Sequence, residues 1–170
     1  YADETHDCPP ASRVYTARIW VLQQTDSAIQ RSLLVHCSSL GGDDATQLAL
    51  HPTANRVAVI VPTYVRNGPI EPPIRILDLQ NGQALDTALD ENSEGFPTSL
   101  TYTPDGRYLL VGQNNGNSPA PVYVIDSRSL RVIDAVHAPG RVLAIAAHPK
   151  STSFAAAAID GLTVWKFVSF

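Results

Sequence analysis

The chain has 170 residues, of which 44% are hydrophobic and 16% are charged, and its formal net charge is −4. The apolar fraction excludes a disordered chain, and a mild negative charge without a Lys/Arg cluster argues against a nucleic-acid surface or an anionic membrane as partner. The longest apolar runs, Val57–Val61 and Phe154–Ile159, are far too short to cross a bilayer.

The N-terminal segment is predicted to be a polar tail over residues 1–13. It contains Cys8, and the other cysteine of the chain is Cys37. The two either form a disulfide across the N-terminal part of the chain or remain separate thiols, and the sequence leaves both alternatives open. The absence of methionine and the cysteine pair together give a slight preference for a secreted protein, although the compartment stays open.

The first predicted strands are two, joined by a polar turn. Ala17–Leu22 is an apolar strand, Gln23–Ser27 is the turn, and a second strand covers about Ile29–His36. No hairpin of the kind found further along the chain precedes them.

Three later segments share one pattern, which is a short apolar strand, a turn that opens with a residue and proline, and a second apolar strand. Proline fixes the φ angle of the second turn position, and Asp-Gly or Ala-Asn supplies the polar corner, so the pattern predicts β-hairpins. The hairpins are Gln47–Val61, Ser99–Gly112 and Leu143–Ala157, with turns opening at His51-Pro52, Thr103-Pro104 and His148-Pro149.

Each hairpin is followed by a third strand after a loop of variable length. The third strands are Ile74–Leu79, Val122–Asp126 and Leu162–Lys166, and the first two lead through a polar turn to fourth strands at about Gln83–Leu89 and Leu130–Val136. Repeats of four consecutive antiparallel strands are typical of β-propeller blades.

The units resemble the blades of WD-repeat and YVTN-type β-propellers, including the lactonase-like group, in which a Pro-Asp-Gly hairpin precedes a Val-x-Val-Ile/Trp-Asp strand. The resemblance covers about residues 17–167 and is clearest in Thr103–Asp126. It departs in the last unit, where Lys166 stands at the usual aspartate position and Ala155–Ala158 would favour a helix by propensity. We predict a strand there because small side chains suit a crowded inner layer; the alternative fold is an antiparallel sandwich.

The order of strands predicts an all-β chain with about three to three and a half blades of four antiparallel strands. Residues 1–170 are expected to form one partial propeller, with blade strands at about 17–37, 46–89, 97–136 and 141–167. The chain would supply third and fourth strands, two complete blades, and then first, second and third strands. Because propellers have four to eight blades, this arc is an incomplete ring, and its uncovered ends predict completion by a protein partner or a second copy.

In propellers of this kind, the loops between fourth and first strands and between second and third strands share one face of the ring, where ligands bind around the central channel. The ligand-binding candidates in those loops are Asn114, Asn115, Asp160, Gln113, Arg141 and Asp44. Amide and carboxylate oxygens can coordinate a hard cation, so Asn114 and Asp160 are the metal-ligand candidates and a divalent cation such as Ca²⁺ is the cofactor they would take. The alternative is that the asparagines and glycine only shape a turn.

His51 and His148 occupy the same repeat position, with Thr103 as the third member, which predicts a structural role such as satisfying a hairpin carbonyl. No nucleophile elbow, phosphate loop or zinc-binding motif is found in the sequence. The first functional hypothesis is therefore a binding or interaction scaffold that completes a larger propeller. The alternative is a lactonase- or cycloisomerase-like enzyme with a polar, metal-binding site at the channel mouth.

Overall fold

The computed structural model describes residues 18–24, 29–35, 47–60, 73–80, 84–86, 89, 95–116 and 119–167, and these contain thirteen β-strands in four antiparallel sheets. Sheet I consists of β1 (Arg18–Gln24) and β2 (Ile29–Val35). Sheet II consists of β3 (Leu48–Leu50), β4 (Arg56–Ile60), β5 (Ile74–Asp78) and β6 (Ala84–Asp86). Sheet III consists of β7 (Phe96–Tyr102), β8 (Tyr108–Asn114), β9 (Ala120–Asp126) and β10 (Arg131–Ala138). Sheet IV consists of β11 (Val142–Ala147), β12 (Ser153–Ala158) and β13 (Gly161–Lys166).

Within each sheet the strands follow one another in sequence order, as in an antiparallel meander. This arrangement confirms the predicted all-β class and the predicted four-stranded blades, of which sheets II and III are complete. The alanine run is confirmed as strand, because Ala155 lies in β12 and pairs with Ala146 on one side and Val164 on the other. Within the described residues, no helix is long and apolar enough to cross a membrane.

Strand β8 shows how the sheets are stacked face to face. Leu109 and Val111 belong to the buried cluster shared with sheet II, whereas Leu110 belongs to the cluster shared with sheet IV. Successive side chains of a strand point to opposite faces, so a strand covered on both faces is apolar at every position. Sheet III is therefore packed between sheets II and IV. These two junctions contain the two larger buried clusters, and a third cluster, of Val57, Val59 and Leu77, lies on the other face of sheet II.

Hydrogen bonds between β7 and β11, the first strands of sheets III and IV, stabilise the junction of these two sheets. Thr98 Oγ1 donates to the carbonyl oxygen of Val142 at 2.6 Å, and the backbone N–H of Ile145 donates to Ser99 Oγ at 2.9 Å. Thr98 can reach across because β7 contains a bulge between Pro97 and Ser99. Strand β11 has a register shift at the corresponding place, between Val142 and Ala144.

The turn between β9 and β10 is closed by the carboxylate of Asp126. Its Oδ1 accepts hydrogen bonds from the Ser129 N–H at 2.7 Å, from Ser129 Oγ at 2.8 Å and from the Arg128 N–H at 3.2 Å. The hydrogen bonds from Ser129 are the main cause that holds the pKa of Asp126 below its ordinary value. The usual aspartate of the repeat therefore fixes the turn that leads into the fourth strand.

Candidate functional site

The hairpin of sheet II is tied to the hairpin of sheet III by His51. Its Nδ1 accepts hydrogen bonds from the backbone N–H groups of Thr53 at 3.2 Å and Ala54 at 2.9 Å. Nε2 therefore carries the proton of the neutral ring and donates it to the carbonyl oxygen of Gly106, at 3.0 Å. The ring thus closes its own turn with one nitrogen and reaches the next sheet with the other, which agrees with the structural role predicted from its repeat position.

Gly106 contacts the His51 imidazole so closely that a side chain at position 106 would overlap with the ring. Its carbonyl oxygen also accepts a hydrogen bond from Ser127 Oγ, and its φ is +72°, a backbone conformation that favours glycine. The ring of His51 packs on Tyr102, with centroids 4.8 Å apart. Burial raises the pKa of the Tyr102 hydroxyl to about 12, an effect that Arg56 opposes only in part.

Thr103 stands at the same repeat position in sheet III but makes local contacts. Its Oγ1 donates to Asp105 Oδ1 at 2.6 Å and accepts from the Tyr108 N–H at 3.0 Å. Asp105 Oδ1 also accepts from the Arg107 N–H at 3.0 Å. A threonine is too short both to close its own turn and to reach the next hairpin, as His51 does. In the described contacts Thr103 closes only its own turn.

A groove of about 330 Å³ lies beside Thr103, between the hairpins of sheets III and IV. The tilted rings of Tyr108 and Phe167 pack together on one side of it with centroids 5.3 Å apart, and the Arg107 guanidinium carbon lies 5.4 Å from the Tyr108 ring centre. Lys150 adds a second positive charge. An aromatic surface beside two cations can hold a ligand that combines an apolar group with a negative charge. The lining residues are Thr103, Pro104, Asp105, Arg107, Tyr108, Pro149, Lys150, Ser151, Thr152, Ser153 and Phe167.

At the predicted channel mouth, the two asparagine side chains make contacts within their own loop. Asn114 Oδ1 accepts a hydrogen bond from the Gly116 N–H at 3.0 Å, and Asn115 Nδ2 donates to the carbonyl oxygen of Pro119 at 3.1 Å. These are contacts of residues that shape a turn, the alternative to ligand binding at these positions.

The other candidates of the channel mouth are separated from the asparagines in the chain. Asp160 is exposed in the turn between β12 and β13, where its side chain lies against Gly140: a Cβ at Gly140 would lie 3.2 Å from Asp160 Cγ. Arg141 is exposed and directly precedes β11. Asp44 lies outside the described residues, as do Cys8 and Cys37 of the predicted disulfide.

In the part of the chain that the structure describes, no group of three or more His, Cys, Asp or Glu side chains could hold a metal ion. Asn114, whose side-chain oxygen already accepts from the Gly116 N–H, ends β8, whereas Asp160 lies in the turn between β12 and β13. A calcium site at these two residues stays a prediction.

Gln113 differs most from its expected position. The sequence predicts a loop position for it, but β8 continues to Asn114, and Gln113 is a strand residue opposite Pro97 with no exposed surface. It follows the alternation of Leu109 and Val111 and therefore points toward sheet II. Among the residues that the structure describes, neither its Oε1 nor its Nε2 has a hydrogen-bond partner. A buried amide in this state costs free energy, which makes Gln113 the most unusual polar residue of the junction.

We expect the Gln113→Met variant to be more stable than the wild type by about 1–2 kcal/mol, because methionine has a similar length and leaves no polar atom unpaired. The check is the free energy of unfolding in urea, with Gln80→Met as an exposed control that should change stability by less than about 0.5 kcal/mol. A destabilised Gln113→Met variant would mean that a bound group satisfies the amide, and the residue would then belong to a ligand site.

The sequence does not predict a site at the hairpin groove, because in the propellers that the chain resembles ligands bind on the opposite face of the ring. A signal was nevertheless present in the alternation of His51, Thr103 and His148 at one repeat position. Because threonine is shorter than histidine, it leaves space unfilled at the junction of sheets III and IV, where the groove lies.

Comparison with known proteins supports the same fold. A scan against protein-family models finds no match. An uncharacterised WD repeat-containing protein of Schizosaccharomyces pombe is 34% identical over 90 residues, which is 51% of this chain and 14% of that protein. The chain therefore spans about one-seventh of the curated relative it matches.

Two solved structures are similar in three dimensions. The Dos1 propeller matches 86% of this chain and 39% of its own chain, with a TM-score of 0.59 and 13% identity. The β-propeller domain of Cps50 (Swd1) from Myceliophteria thermophila matches 72% of this chain and 40% of its own, with a TM-score of 0.53 and 14% identity. The chain has the β-propeller fold with WD-repeat-like blades, and it covers about two-fifths of each of these propellers.

Proposed function

We propose that the protein is an interaction scaffold, an arc of a larger β-propeller whose sheet IV is covered by a further blade. The observation that carries this proposal is the composition of the face of sheet IV that is turned away from sheet III, here called the far face. Leu162 and Val164 are 70% and 64% exposed on it. The central rows of the far face consist of Ala144, Ala146, Ala155, Ala157, Leu162 and Val164, all apolar, and the polar pair Ser153 and Lys166 follows at the end of the sheet.

The strand alternation places these residues together. Phe154, Ala156 and Ala158 are buried against sheet III, so Ala155 and Ala157, between them on β12, point the other way. Ala157 pairs with Leu162, and Ala155 pairs with Val164. A contiguous apolar sheet face of this kind marks a surface that another protein element covers.

The coverage of the similar propellers supports a larger ring. Each of them is matched over only about two-fifths of its chain, so most of their blades have no counterpart in these 170 residues. A ring of that size would provide the rigid loops and grooves on which a scaffold presents its binding residues.

The proposal is tested by making the far face hydrophilic. The double variant Leu162→Lys/Val164→Lys should bind several-fold less of a dye specific for apolar surfaces, and should self-associate less in sedimentation velocity, because both effects need an exposed apolar face. Its stability should change by less than about 0.5 kcal/mol per residue, since both side chains are exposed.

Ile133→Lys is the matched control, because Ile133 is 53% exposed on β10 and lies outside the far face. It should leave dye binding and association near the wild-type values. Equal dye binding and equal association in the wild type and the double variant would argue against the proposed function.

A further inference from the structure

His148 makes the same contact within its own turn as His51, but no described contact joins it to a hairpin of a neighbouring sheet. Each residue precedes a proline and directly follows the first strand of its sheet. His148 Nδ1 accepts a hydrogen bond from the Lys150 N–H at 3.1 Å, just as His51 Nδ1 accepts from Thr53 two residues further along. The ring is therefore held in the same orientation, which leaves the proton on Nε2. His148 is exposed, and no described contact involves its Nε2.

The surfaces beside the two histidines match position by position. On sheet II, the register aligns Ala49, Ala58 and Ile76 in one row and Ile60 and Ile74 in the next. On sheet IV, the rows are Ala146, Ala155 and Val164, then Ala157 and Leu162. The members of the first set lie in or against the buried cluster that sheet III covers, whereas Leu162 and Val164 are exposed. The far face of sheet IV is thus a copy of a face that is known to receive a blade.

His51, Thr103 and His148 share one repeat position, and the residue beside that position in the next hairpin differs with the size of the side chain. The imidazole of His51 meets Gly106, where a Cβ would lie 2.8 Å from Nε2. Thr103, the shorter residue, lines the groove together with Ser151, which occupies the place of Gly106 in the hairpin of sheet IV. The histidine is thus found against a glycine, whereas a serine stands at that hairpin position in the sheet that follows the threonine. His148, a histidine like His51, fits a glycine at the same hairpin position of the next blade.

We propose that the blade covering sheet IV belongs to the same polypeptide and presents a Pro-x-Gly hairpin whose glycine carbonyl oxygen accepts a hydrogen bond from His148 Nε2. This inference rests on the proposed function. The same-polypeptide source follows from the two similar propellers, each of which continues within one chain well beyond the matched part. The glycine would have a positive φ like Gly106, so that its carbonyl faces the ring without a Cβ in the way.

The test uses the full chain and an extended form, in which the C-terminal end is followed by copies of residues 127–138 and then 95–138. The extension supplies a fourth strand for sheet IV and a blade with a Pro104-Asp105-Gly106 hairpin. Nitrogen-15 NMR of the imidazole groups reports each Nε2–H, and His51 serves as the internal reference for a hydrogen-bonded one.

In the 170-residue chain, the His51 Nε2–H should exchange slowly and that of His148 should exchange with water at least about tenfold faster. In the extended chain, His148 should join His51 in slow exchange. The His148→Ala substitution should then lower the Tm of the extended chain by about 4 °C more than that of the 170-residue chain, in which only the turn contact to the Lys150 N–H is lost. A Gly106→Ala substitution made only in the appended copy should return His148 to fast exchange.

The methyl signals of Leu162 and Val164 separate the two proposals. If they become protected in the extended chain while His148 stays in fast exchange, the hydrogen bond is refuted and the proposed function stands. If the methyl groups stay exposed, the proposed function is refuted as well. Slow exchange of His148 in the 170-residue chain that appears only at high concentration would identify a second copy as the occupant and refute the same-polypeptide source.

Discussion

Replacing Gly106 with alanine should lower the free energy of unfolding by about 2–4 kcal/mol. The φ of +72° costs an alanine about 1 kcal/mol, and its Cβ would also lie 2.8 Å from His51 Nε2. The imidazole would have to move, and its hydrogen bond to the Gly106 carbonyl oxygen would be lost together with its packing on Tyr102. The measurement is chemical denaturation of the wild type and the variant.

Gly116→Ala is a matched control for the backbone cost. Gly116 has a φ of +76°, and a Cβ there would have no neighbour within 4 Å, so this variant should lose only about 1 kcal/mol. The difference between the two glycine variants measures the conflict with His51.

A double-mutant cycle with His51→Ala locates the effect in this contact. His51→Ala alone should cost about 2 kcal/mol, because it removes the bond between the hairpins and exposes the turn N–H groups. In that background, Gly106→Ala should cost only about 1 kcal/mol, as at Gly116. Equal costs of Gly106→Ala with and without His51 would contradict the assignment of His51 as the link between sheets II and III.

Gly112→Ala should also be strongly destabilising, by about 2–3 kcal/mol, although its backbone conformation is ordinary. Gly112 lies in β8 at the junction of sheets III and IV, where an added Cβ would lie 2.8 Å from Val142 Cβ and 3.0 Å from Ile145 Cδ1. Overpacking a junction between two sheets forces backbone shifts, and here it would also strain the hydrogen bond from Thr98 to Val142.

Val142→Ala should partly rescue this variant. Val142 is fully buried, so the single substitution should cost about 1–3 kcal/mol by leaving a cavity. The methyl group added at position 112 would occupy part of that cavity, and the double variant should be more stable than the sum of the single losses predicts by about 1–2 kcal/mol. Strictly additive losses, measured by urea denaturation, would mean that the two residues do not share this space.

The blades could be predicted from the sequence because their turns have a local cause. Proline after His51, Thr103 and His148 sets each hairpin, and the apolar alternation around it determines the strands. The alanine run of β12 was predicted correctly against its helix propensity, since its repeat position outweighed that propensity.

The polar candidates were harder to place, because strand ends are not marked in the sequence. Gln113 looked like the first residue of an amide-rich loop, but β8 extends through it, and its opposite residue Pro97 keeps it inside the sheet. Whether Asn114 and Asn115 face a ligand or their own loop depends on hydrogen bonds to Gly116 and Pro119, which a list of residue types does not specify.

The bulges in the inner strands have a consequence for changes of chain length. In a strand, the loss of one residue normally turns every following side chain to the other face. A bulge holds one unpaired residue, so the strand can lose it and keep all pairs on either side. Thr98 in β7 and Leu143 in β11 occupy such places. Strands β7 and β11 can therefore lose one residue during evolution while the buried faces of sheets III and IV stay in phase.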